Sequence, residues 1–342
     1  MTEDPSISVI IPNYNGKHHL NDCLISLKNQ LYKNFEVIVV DNASTDGSVD
    51  FINNNFPEFR VVVNSENAGF SKAVNQAAKL SDLEYIVILN NDTIVDKYWL
   101  EEFVSFSKKF KDFGSCQSKV LLYNDIHLLN TVGNEIFFLG HGWSGGYRKP
   151  DEHFNNIREV NYCSGAALFI RRDVLKRIGF FDDEEVLMYH DDLDLGWRLL
   201  LYGYKNYLVP NSVIYHKYEY NRNPKKYYYI EVSRLICIIK YYEIRTILLL
   251  LPALFAMEFG IICYSMKGGW FMDKMKSYSY IIKNITRLYK KRMLVQRSRI
   301  LSDKEILKQF KSEIDFVEIN NVFIYLVNPI MKIYWKLVLQ IL

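Results

Sequence analysis

Three acidic positions of this 342-residue chain have the residue types and spacing for metal and acid–base chemistry. Asp41 and Asp92 each follow an apolar run rich in β-branched residues, and a third cluster, Asp191-Asp192-Leu193-Asp194, lies in the middle of the chain. In an open α/β sheet, the carboxyl ends of the strands open onto the ligand crevice. Two acids at strand ends therefore predict one site, and a divalent cation with a phosphorylated ligand is its natural occupant.

The first two acids each have a purely structural alternative. Asp41 begins a short polar segment that could be an ordinary loop in which Asp46 caps the following helix. The functional interpretation is that Asp41 accepts hydrogen bonds from a nucleoside base or ribose. Asp92 follows two asparagines and could be part of a capped turn. The functional interpretation is that Asp92 binds a divalent cation that bridges a diphosphate.

The central acidic cluster opens a predicted helix that ends near Tyr202. Carboxylates at a helix N-terminus stabilise the helix by about 0.3–1 kcal/mol each, and one or two acids suffice for that. The preceding run Asp182-Asp183-Glu184-Glu185 adds like charges, and such crowding needs a compensating cation or a catalytic purpose. Because nearby acids raise the proton affinity of a carboxylate, the cluster can supply a general base.

Two other predicted strand ends carry polar residues. The segment Ile11-Pro12-Asn13-Tyr14-Asn15-Gly16 is either an ordinary turn or a place where free backbone groups meet a ligand, since proline stops a strand and removes a donor. His216 ends an apolar run, at the same edge to which the acids point. A packed structural histidine and a metal ligand are equally open interpretations of His216.

Alternating strand and helix patterns must position these residues. The apolar runs that predict buried strands are Ser8–Ile11, Phe35–Val40, Arg60–Val63, Tyr85–Leu89, Ala167–Ile170 and Val213–His216. The segments with helical periodicity are Leu20–Leu31, Asp46–Ile52, Gly69–Leu80, Trp99–Phe110, Asp173–Ile178 and Leu193–Tyr202. This alternation with short connections predicts an α/β fold with a parallel sheet covered on both faces. The glycine-rich and aromatic segment Gly133–Pro150 predicts a loop or hairpin.

The sequence changes to long helices from about Tyr227, which predicts an α/β domain at 1–226 and a helical region at 227–342. Two apolar segments, 247–266 and 322–342, flank a basic segment, 267–311, in which 13 Lys or Arg stand against three acids. Because the whole chain has a net charge of only +3, the remainder of the chain is net negative. A basic block beside apolar helices predicts docking on an anionic membrane surface.

The apolar segment 247–266 also has a structural alternative. It is long enough to span a bilayer, but Pro252 and Glu258 lie inside it. The alternative is that it packs as an ordinary core helix or as a homodimer interface.

The cysteines and the N-terminus indicate a reducing compartment. The N-terminus lacks the basic start and apolar core of a signal peptide, so we expect the α/β domain on the cytoplasmic side of the membrane. The odd, scattered cysteines include no Cys-x-x-Cys pair and predict free buried thiols rather than a disulfide framework or a zinc site. They are Cys23, Cys116, Cys163, Cys237 and Cys263.

The polar motifs, taken in order, resemble those of the family 2 glycosyltransferases with a GT-A fold, especially the rhamnosyltransferase-like members. The resemblance runs from about Ser8 to Lys217, nearly two thirds of the chain. Its elements are weak singly and specific as an ordered set. They are Val9–Asn15, Val39–Ser48, Asn67–Phe70, Leu89–Asp92, Ser164–Arg172 and Asp191–Leu195.

The resemblance implies a role for each matching residue. Those implied to bind the nucleotide donor are Pro12, Tyr14, Asn15, Asp41, Asn67, Lys72, Asn90 and Asn91. Those implied to line the donor-sugar and acceptor face are Gly165, Ala166 and Trp197. The implied metal ligands are Asp92 and His216, and the implied catalytic base is Asp192, with Asp191 beside it.

Two residues depart from the family pattern. Asn90 stands where the Asp-x-Asp motif has its first acid, so the metal would depend on Asp92 and phosphate oxygens. Asp191 replaces the usual glutamate before the base, so either Asp191 or Asp192 could act as the base. The sequence has no Gln-x-x-Arg-Trp motif like that of processive synthases, which favours transfer of one or a few sugars.

The resemblance implies an inverting transferase that uses Mg²⁺ or Mn²⁺ and a nucleotide-sugar donor such as dTDP-rhamnose or a UDP-sugar. The expected acceptor is a glycan or lipid-linked glycan in cell-surface polysaccharide assembly, with no nucleic-acid partner. The expected location is the cytoplasmic side of the membrane, and the C-terminal helices could form a homodimer. The rival classes are a nucleotidyltransferase, which would need a Gly-rich phosphate loop, and a nucleotide-sugar-binding scaffold.

Overall fold

The structure, a computed structural model, describes residues 4–184, 189–218, 224–316 and 322–342. The chain forms two compact units whose segments alternate along the sequence. The first unit comprises residues 1–134, 144–183 and 204–219, and the second comprises 135–143, 184–203 and 220–342. Two segments that precede residue 226 therefore group with the C-terminal helices.

The first unit is built on a ten-stranded mixed sheet. The strands of the described residues are β1 (Ile7–Asn13), β2 (Phe35–Asp41), β3 (Arg60–Val63), β4 (Tyr85–Leu89), β5 (Thr93–Val95), β6 (Phe113–Leu122), β7 (Asp125–Thr131), β8 (Asn134–Ile136), β9 (Gly142–Ser144), β10 (Arg158–Val160), β11 (Ala167–Arg171) and β12 (Lys205–His216). The sheet order is β10-β12-β6-β11-β4-β1-β2-β3, with β5 paired to β12 and β7 paired to β6. Strands β8 and β9 pair with each other, so the segment predicted as a loop or hairpin contains a hairpin.

Strand direction changes across the sheet. Strands β3, β2, β1 and β4 are parallel, as the strand–helix alternation predicted. Strand β11 is antiparallel to both β4 and β6, so the sheet as a whole is mixed rather than parallel. Strand β1 also continues through Pro12 to Asn13 instead of stopping at the proline. Its pairing with β4 ends at Ile10 opposite Ile88, so the missing N–H of Pro12 interrupts no pairing on that side.

Helices that bury one apolar side cover this sheet. They are α1 (Lys17–Lys28), α2 (Ser48–Asn55), α3 (Phe70–Leu80), α4 (Trp99–Lys109) and α5 (Arg172–Arg177). In α1 the residues Leu20, Leu24 and Leu27 are fully buried, which is the spacing of one helix face. They join a core cluster with β-strand residues such as Val9 and Val87. This core fixes the strand ends that carry the candidate site.

The second unit is mainly helical. Its helices are α6 (Asp191–Leu201), α7 (Pro224–Tyr241), α8 (Ile244–Lys267), α9 (Phe271–Ser298), α10 (Asp303–Leu307) and α11 (Val322–Ile341). Helix α7 packs along α9, and α8 contacts both α9 and α11. The small core between α7 and α9 contains Val232, Ile236 and Leu288.

Glu258, the acid that interrupts the apolar segment 247–266, is compensated within this unit. It pairs with Arg234, and Lys274 Nζ lies 2.7 Å from Glu258 Oε2. Both cations also pair with Glu231, which is buried. Burial raises the pKa of Glu231, but the charges of Arg234 and other nearby cations outweigh burial and hold that pKa well below its usual range. Glu258 thus belongs to an internal ion cluster and does not interrupt the outer face of α8.

The outer face of α8 is apolar and exposed. Among the described residues, α8 is the one helix long and apolar enough to cross a membrane, and 17% of its most apolar stretch is buried. Ile244 and Leu248 are exposed, and Phe255 and Phe259 are 69% and 70% exposed. A core helix would bury most of this surface, so the core-helix alternative does not describe α8. Cys263 on α8 is exposed, whereas the other four cysteines are buried as predicted.

Candidate active site

Asp41 ends β2 and holds neighbouring segments together. The parallel register places Asn13 of β1 opposite Asp41. Asn13 Nδ2 donates to Asp41 Oδ2 (2.8 Å), and the backbone N–H of Ser44 donates to Asp41 Oδ1 (2.8 Å). The Asp41 side chain is 0% exposed. The predicted direct contact of Asp41 with a nucleoside therefore differs from the structure, because both oxygens accept internal hydrogen bonds and neither faces solvent.

The loop after β1 is tied to the loop after β2. The backbone N–H of Asn15 donates to Ser44 Oγ (2.8 Å), and Asn15 Oδ1 accepts from the backbone N–H of Thr45 (2.8 Å). Asn15 has a φ of 50°, a left-handed conformation that asparagine tolerates better than most residues. Tyr14 is exposed beside it. Of the residues implied to bind a nucleotide here, Tyr14 is therefore the accessible one, and Asn15 is half-buried.

Asn13 joins three strand ends and was missed as a site residue by the sequence. Besides contacting Asp41, its Oδ1 accepts from Asn91 Nδ2 (2.7 Å). It therefore links the ends of β1, β2 and β4. A Cβ added at Gly16 would collide with the side chains of Asn91 and Asn13, so this bridge requires glycine at position 16. The sequence signal that could have identified Asn13 is the alternation of side chains along a strand, which places Asn13 on the same face of β1 as Ile11 and Val9.

The segment before α3 lies at the same edge of the sheet. Asn42 Nδ2 donates to the carbonyl oxygen of Gly69 (3.3 Å), and Asn67 Oδ1 accepts from the backbone N–H of Gly69 (3.0 Å). Gly69 has φ 82° and ψ 173°, a conformation that needs glycine. Asn67 and Lys72 are both exposed. The structure thus brings Asn67 to the end of β2, with Lys72 in the first turn of α3.

Strand pairing brings Asp92 and His216 together. Strand β5 is antiparallel to β12, with Thr93 opposite His216. Asp92, the residue before Thr93, therefore lies beside the imidazole, and Asp92 Oδ1 is 3.1 Å from His216 Nε2. The backbone N–H of Lys217 donates to the carbonyl oxygen of Asp92 (2.9 Å) and fixes the two segments. The two residues that the sequence named as metal ligands are in direct contact.

The charge state of Asp92 suits a cation. Burial raises the pKa of Asp92, but the hydrogen bond and charge of His216 outweigh burial and leave that pKa below its usual value. Two ligand atoms in adjacent positions of an octahedron are about 3.0 Å apart when each lies about 2.1 Å from the metal. The observed 3.1 Å between Oδ1 and Nε2 is compatible with that spacing.

The remaining ligands would have to come from outside this pair. Among the residues that the structure describes, no group of three His, Cys, Asp or Glu side chains could hold a metal ion. Mg²⁺ is commonly bound through one or two carboxylates and completes its shell with substrate phosphates and water. Asp92 supplies one such carboxylate, and His216 offers a nitrogen ligand beside it.

Asn90 and the segment Gly165-Ala166 meet at the end of β4. The backbone N–H of Asn90 donates to the carbonyl oxygen of Ala166 (3.1 Å), and the carbonyl oxygen of Asn90 accepts from Thr93 Oγ1 (2.7 Å). The first bond extends the antiparallel pairing of β4 with β11, and the second lies within the turn before β5. Gly165 and Ala166 are both buried. Their proximity to Asn90 agrees with the predicted site, and their contact with a sugar stays a prediction.

Asp191 and Asp192 open α6 in the second unit. Asp191 is buried, whereas Asp192 is partly exposed. Asp192 Oδ1 accepts from the backbone N–H of Leu193 (2.9 Å). A base must reach the proton that it abstracts, so exposure favours Asp192 over Asp191 for that role.

Asp194, the last acid of the cluster, has a structural role. It is fully buried, and it accepts hydrogen bonds from Arg198 Nε (2.9 Å), Lys240 Nζ (3.0 Å) and the Tyr241 hydroxyl. Two internal cations therefore compensate this carboxylate, so its presence in the cluster needs no bound metal. Glu185, which the sequence added to the acidic run, lies outside the described residues.

Trp197 corrects the prediction of a sugar-binding face on α6. It is 0% exposed, and its ring packs against Tyr241, Tyr242 and Phe310 at centroid distances of 5.4, 5.0 and 4.9 Å. A side chain with no exposed surface cannot stack on a sugar. Trp197 is a core residue of the second unit.

The sequence of this edge of the sheet matches a known family. The family model described as glycosyl transferase family 2 matches residues 8–179, just over half of the chain. The chain belongs to glycosyl transferase family 2. The matched range contains the segments that form the Asn13–Asp41 and Asn91–Asp92 parts of the site, whereas His216 and the acids of α6 lie beyond it.

Several curated glycosyltransferases each match about 60% of the chain. An uncharacterized glycosyltransferase from Rickettsia typhi is 27% identical over 207 residues, which is 58% of this chain and 60% of that protein. The N-acetylglucosaminyl-diphospho-decaprenol L-rhamnosyltransferase of Mycobacterium tuberculosis H37Rv is 25% identical over 243 residues, 62% of this chain and 76% of that protein. Glycosyltransferase GlyA of Streptococcus pneumoniae serotype 4 is 36% identical over 225 residues, 63% of this chain and only 30% of that protein.

Solved structures support the GT-A fold. S. aureus TarS aligns with a TM-score of 0.50 and 20% identity over 69% of this chain and 40% of that chain. GalNAc-T7, solved with UDP, GalNAc and Mn²⁺, aligns with a TM-score of 0.60 and 14% identity over 83% of this chain and 58% of that chain. At these identities the likeness concerns the fold. The predicted GT-A architecture with C-terminal helices is confirmed.

Proposed function

We propose that this family 2 protein is an inverting glycosyltransferase that moves one sugar at a time from a nucleotide-diphosphate donor to an acceptor hydroxyl. The observation that carries the proposal is the contact between Asp92 and His216 at the carboxyl edge of the sheet. In this family that pair supports a divalent-cation site for a diphosphate. The polar loops around Asn15 and Asn67 lie at the same edge and offer groups for the nucleotide.

The proposed reaction is a single displacement at the anomeric carbon. The acceptor oxygen forms the new bond while the bond from that carbon to the diphosphate oxygen breaks. The electron pair of the broken bond leaves with the nucleoside diphosphate, and the hydroxyl proton passes to Asp192. Because attack and departure take place on opposite sides of the carbon, the configuration inverts. Asp192 is preferred to Asp191 because it is the more exposed carboxylate.

Asp92 and His216 would hold the cation, Mg²⁺ or Mn²⁺. When bound, the ion supplies positive charge that stabilises the departing diphosphate. The chain itself contributes the fixed placement of both ligands, through the β5–β12 pairing and the hydrogen bond from Lys217. The exposed residues Tyr14 and Lys72 are the proposed contacts for the nucleoside and the phosphates.

The acceptor is proposed to be a glycan or a lipid-linked glycan of the cell surface. The support is the name of the Mycobacterium tuberculosis relative, a rhamnosyltransferase that acts on a diphospho-decaprenol-linked sugar. By the same comparison, dTDP-rhamnose is the first donor to test, followed by UDP-sugars.

We further propose that the chain docks on the cytoplasmic leaflet through α8 and α11 without crossing the membrane. They are antiparallel, since Arg245 donates to the carbonyl oxygen of Ile341 (2.7 Å) and Tyr334 donates to that of Leu249. Helix α11, like α8, has an exposed apolar stripe, and exposed Lys332 lies beside the stripe of α11. The exposed stripe residues of α11 are Leu326, Ile330, Ile333, Leu337 and Ile341. Apolar stripes flanked by lysine are typical of helices that lie in the membrane interface.

The metal and donor assignments can be tested by calorimetry with a panel of nucleotide-sugars, each titrated with and without Mn²⁺. We expect one donor to bind only when Mn²⁺ is present, and we expect Asp92→Asn to abolish that Mn²⁺-dependent binding because the cation loses its carboxylate. Asp125→Asn, an exposed acid at the start of β7, is the matched control and should bind like wild type. Metal-independent binding that survives Asp92→Asn would contradict the proposal.

A further inference from the structure

Asn130 lies at an irregularity in β7. In the pairing of β6 with β7, Val120 faces Thr131 and Leu121 faces Leu129, so Asn130 is an extra residue between two consecutive pairs. Such a β-bulge redirects a side chain, and bulges are over-represented next to active sites. Asn130 is buried, and its Oδ1 lies 2.9 Å from Nδ1 of His216. The bulge therefore directs an amide toward the ring nitrogen that faces away from Asp92.

We propose that Asn130 is a positioning residue that fixes the tautomer of His216, an assignment that rests on the proposed metal-dependent function. An amide oxygen can only accept a hydrogen bond, so the proton of the neutral ring must lie on Nδ1. Nε2 then carries a lone pair, and it lies 3.1 Å from Asp92 Oδ1. Asn130 thus keeps the lone pair of His216 Nε2 available for a metal ion even when no metal is bound.

This tautomer has a physical consequence for the pair. When the ring is neutral, the lone pair of Nε2 and the carboxylate of Asp92 face each other across 3.1 Å with no ring proton between them. A cation relieves the repulsion between these two groups. The hydrogen bond and the charge of His216 that lower the pKa of Asp92 require a second ring proton, on Nε2. Hydrogen bonds from a ligating histidine to a second group commonly contribute 10–100-fold to metal affinity. The hydrogen bond between His216 and Asn130 of β7 therefore strengthens metal binding.

The opposite orientation of the Asn130 amide makes the opposite prediction. Its NH₂ group would donate to Nδ1, and the ring proton would move to Nε2. His216 would then donate to Asp92 and occupy the position at which a cation binds. The location of one proton on the imidazole therefore distinguishes the two arrangements.

The test is a long-range ¹H–¹⁵N correlation spectrum of the full chain, labelled with ¹⁵N-histidine and freed of metal, at a pH where the ring is neutral. His216→Gln assigns the signal by removing it. We expect wild type to show a proton on Nδ1. Asn130→Leu, which removes the acceptor, should shift the proton toward Nε2, and Asn130→Asp, which keeps an acceptor and has no amide N–H, should retain it on Nδ1.

Binding of MnCl₂ in the presence of UDP, followed by electron paramagnetic resonance, gives the second readout. We expect Mn²⁺ affinity to fall 10–100-fold in Asn130→Leu and to be no weaker than wild type in Asn130→Asp. A wild-type proton on Nε2 would overturn the assignment, and this result needs no variant to fold. A protein with the Nδ1 proton but no nucleotide-sugar activity would count against the proposed function alone.

Discussion

At the scale of single residues, partners and burial separate the aspartates of this chain into different roles. Asp92 is partly exposed and faces an imidazole, which leaves it able to take a cation. Asp194 forms ion pairs with Arg198 and Lys240, so its charge is compensated within the second unit. Asp192 is partly exposed at the start of α6. The same residue type thus supplies a proposed metal ligand, a structural ion-pair partner and a proposed base.

The residue scale also marks how far the sequence could predict the site. The proximity of Asp92 and His216 followed from both residues being at ends of apolar strands, and the structure agrees. Asn13 and Asn130 could not be assigned, because their contacts depend on strand register and on a bulge that no composition signal reveals. Trp197 was assigned wrongly, since a one-dimensional pattern does not tell which side of α6 meets Tyr241 and Phe310.

At the scale of elements, the site depends on how closely three strand ends approach. The buried β-branched runs predicted β1, β2 and β4 correctly, because such runs are typical of parallel strands. The antiparallel insertion of β11 was not predicted, since direction depends on the path of the intervening chain. The Asn13–Asn91 bridge holds β1 against β4, and Gly16 leaves the space that the bridge fills.

Replacing Gly16 with alanine should therefore destabilise the strand ends. The added Cβ would overlap Asn91 and Asn13, and overpacking of this kind costs about 1–3 kcal/mol. We expect the free energy of urea unfolding to fall by that amount. Gly260→Ala is the matched control, because a Cβ there meets nothing within 4 Å and alanine favours the helix. Equal stability of the two variants would contradict the close-packing argument.

At the scale of the whole molecule, the chain combines a GT-A sheet with a helical unit whose outer face is apolar and basic. The sequence predicted a single boundary at residue 226, whereas segments 135–143 and 184–203 group with the helices. Such long-range grouping depends on contacts between distant residues, which local composition does not report. Helix α9 has eight Lys or Arg against the single acid Asp273. Lys274 and Arg292 are buried, and the other six cations suit an anionic surface.

Membrane docking can be followed at Cys263, the exposed cysteine on α8. An environment-sensitive thiol dye placed there should shift to the blue with vesicles that contain phosphatidylglycerol, and less with pure phosphatidylcholine. We expect Phe255→Lys combined with Phe259→Lys to weaken vesicle binding at least about 10-fold, because two exposed phenyl rings no longer enter the interface. Leu31→Lys, an exposed apolar site of the first unit, should bind like wild type.

Two results would contradict this docking. One is that the full chain remains unbound in the presence of vesicles of either composition. The other is a dye shift that follows protein concentration in the absence of lipid, which would indicate that a second copy covers α8.

The most direct test of the central claim is the turnover of the donor found in the nucleotide-sugar panel, measured as release of nucleoside diphosphate with a glycan acceptor. We predict that Asp192→Asn lowers kcat by about 10²–10⁴-fold, because the acceptor proton loses its base, while donor KM and Tm stay near wild type. Asp191→Asn, the buried neighbour, should retain much more activity. Unchanged turnover in Asp192→Asn would contradict the assignment of this carboxylate and the mechanism built on it.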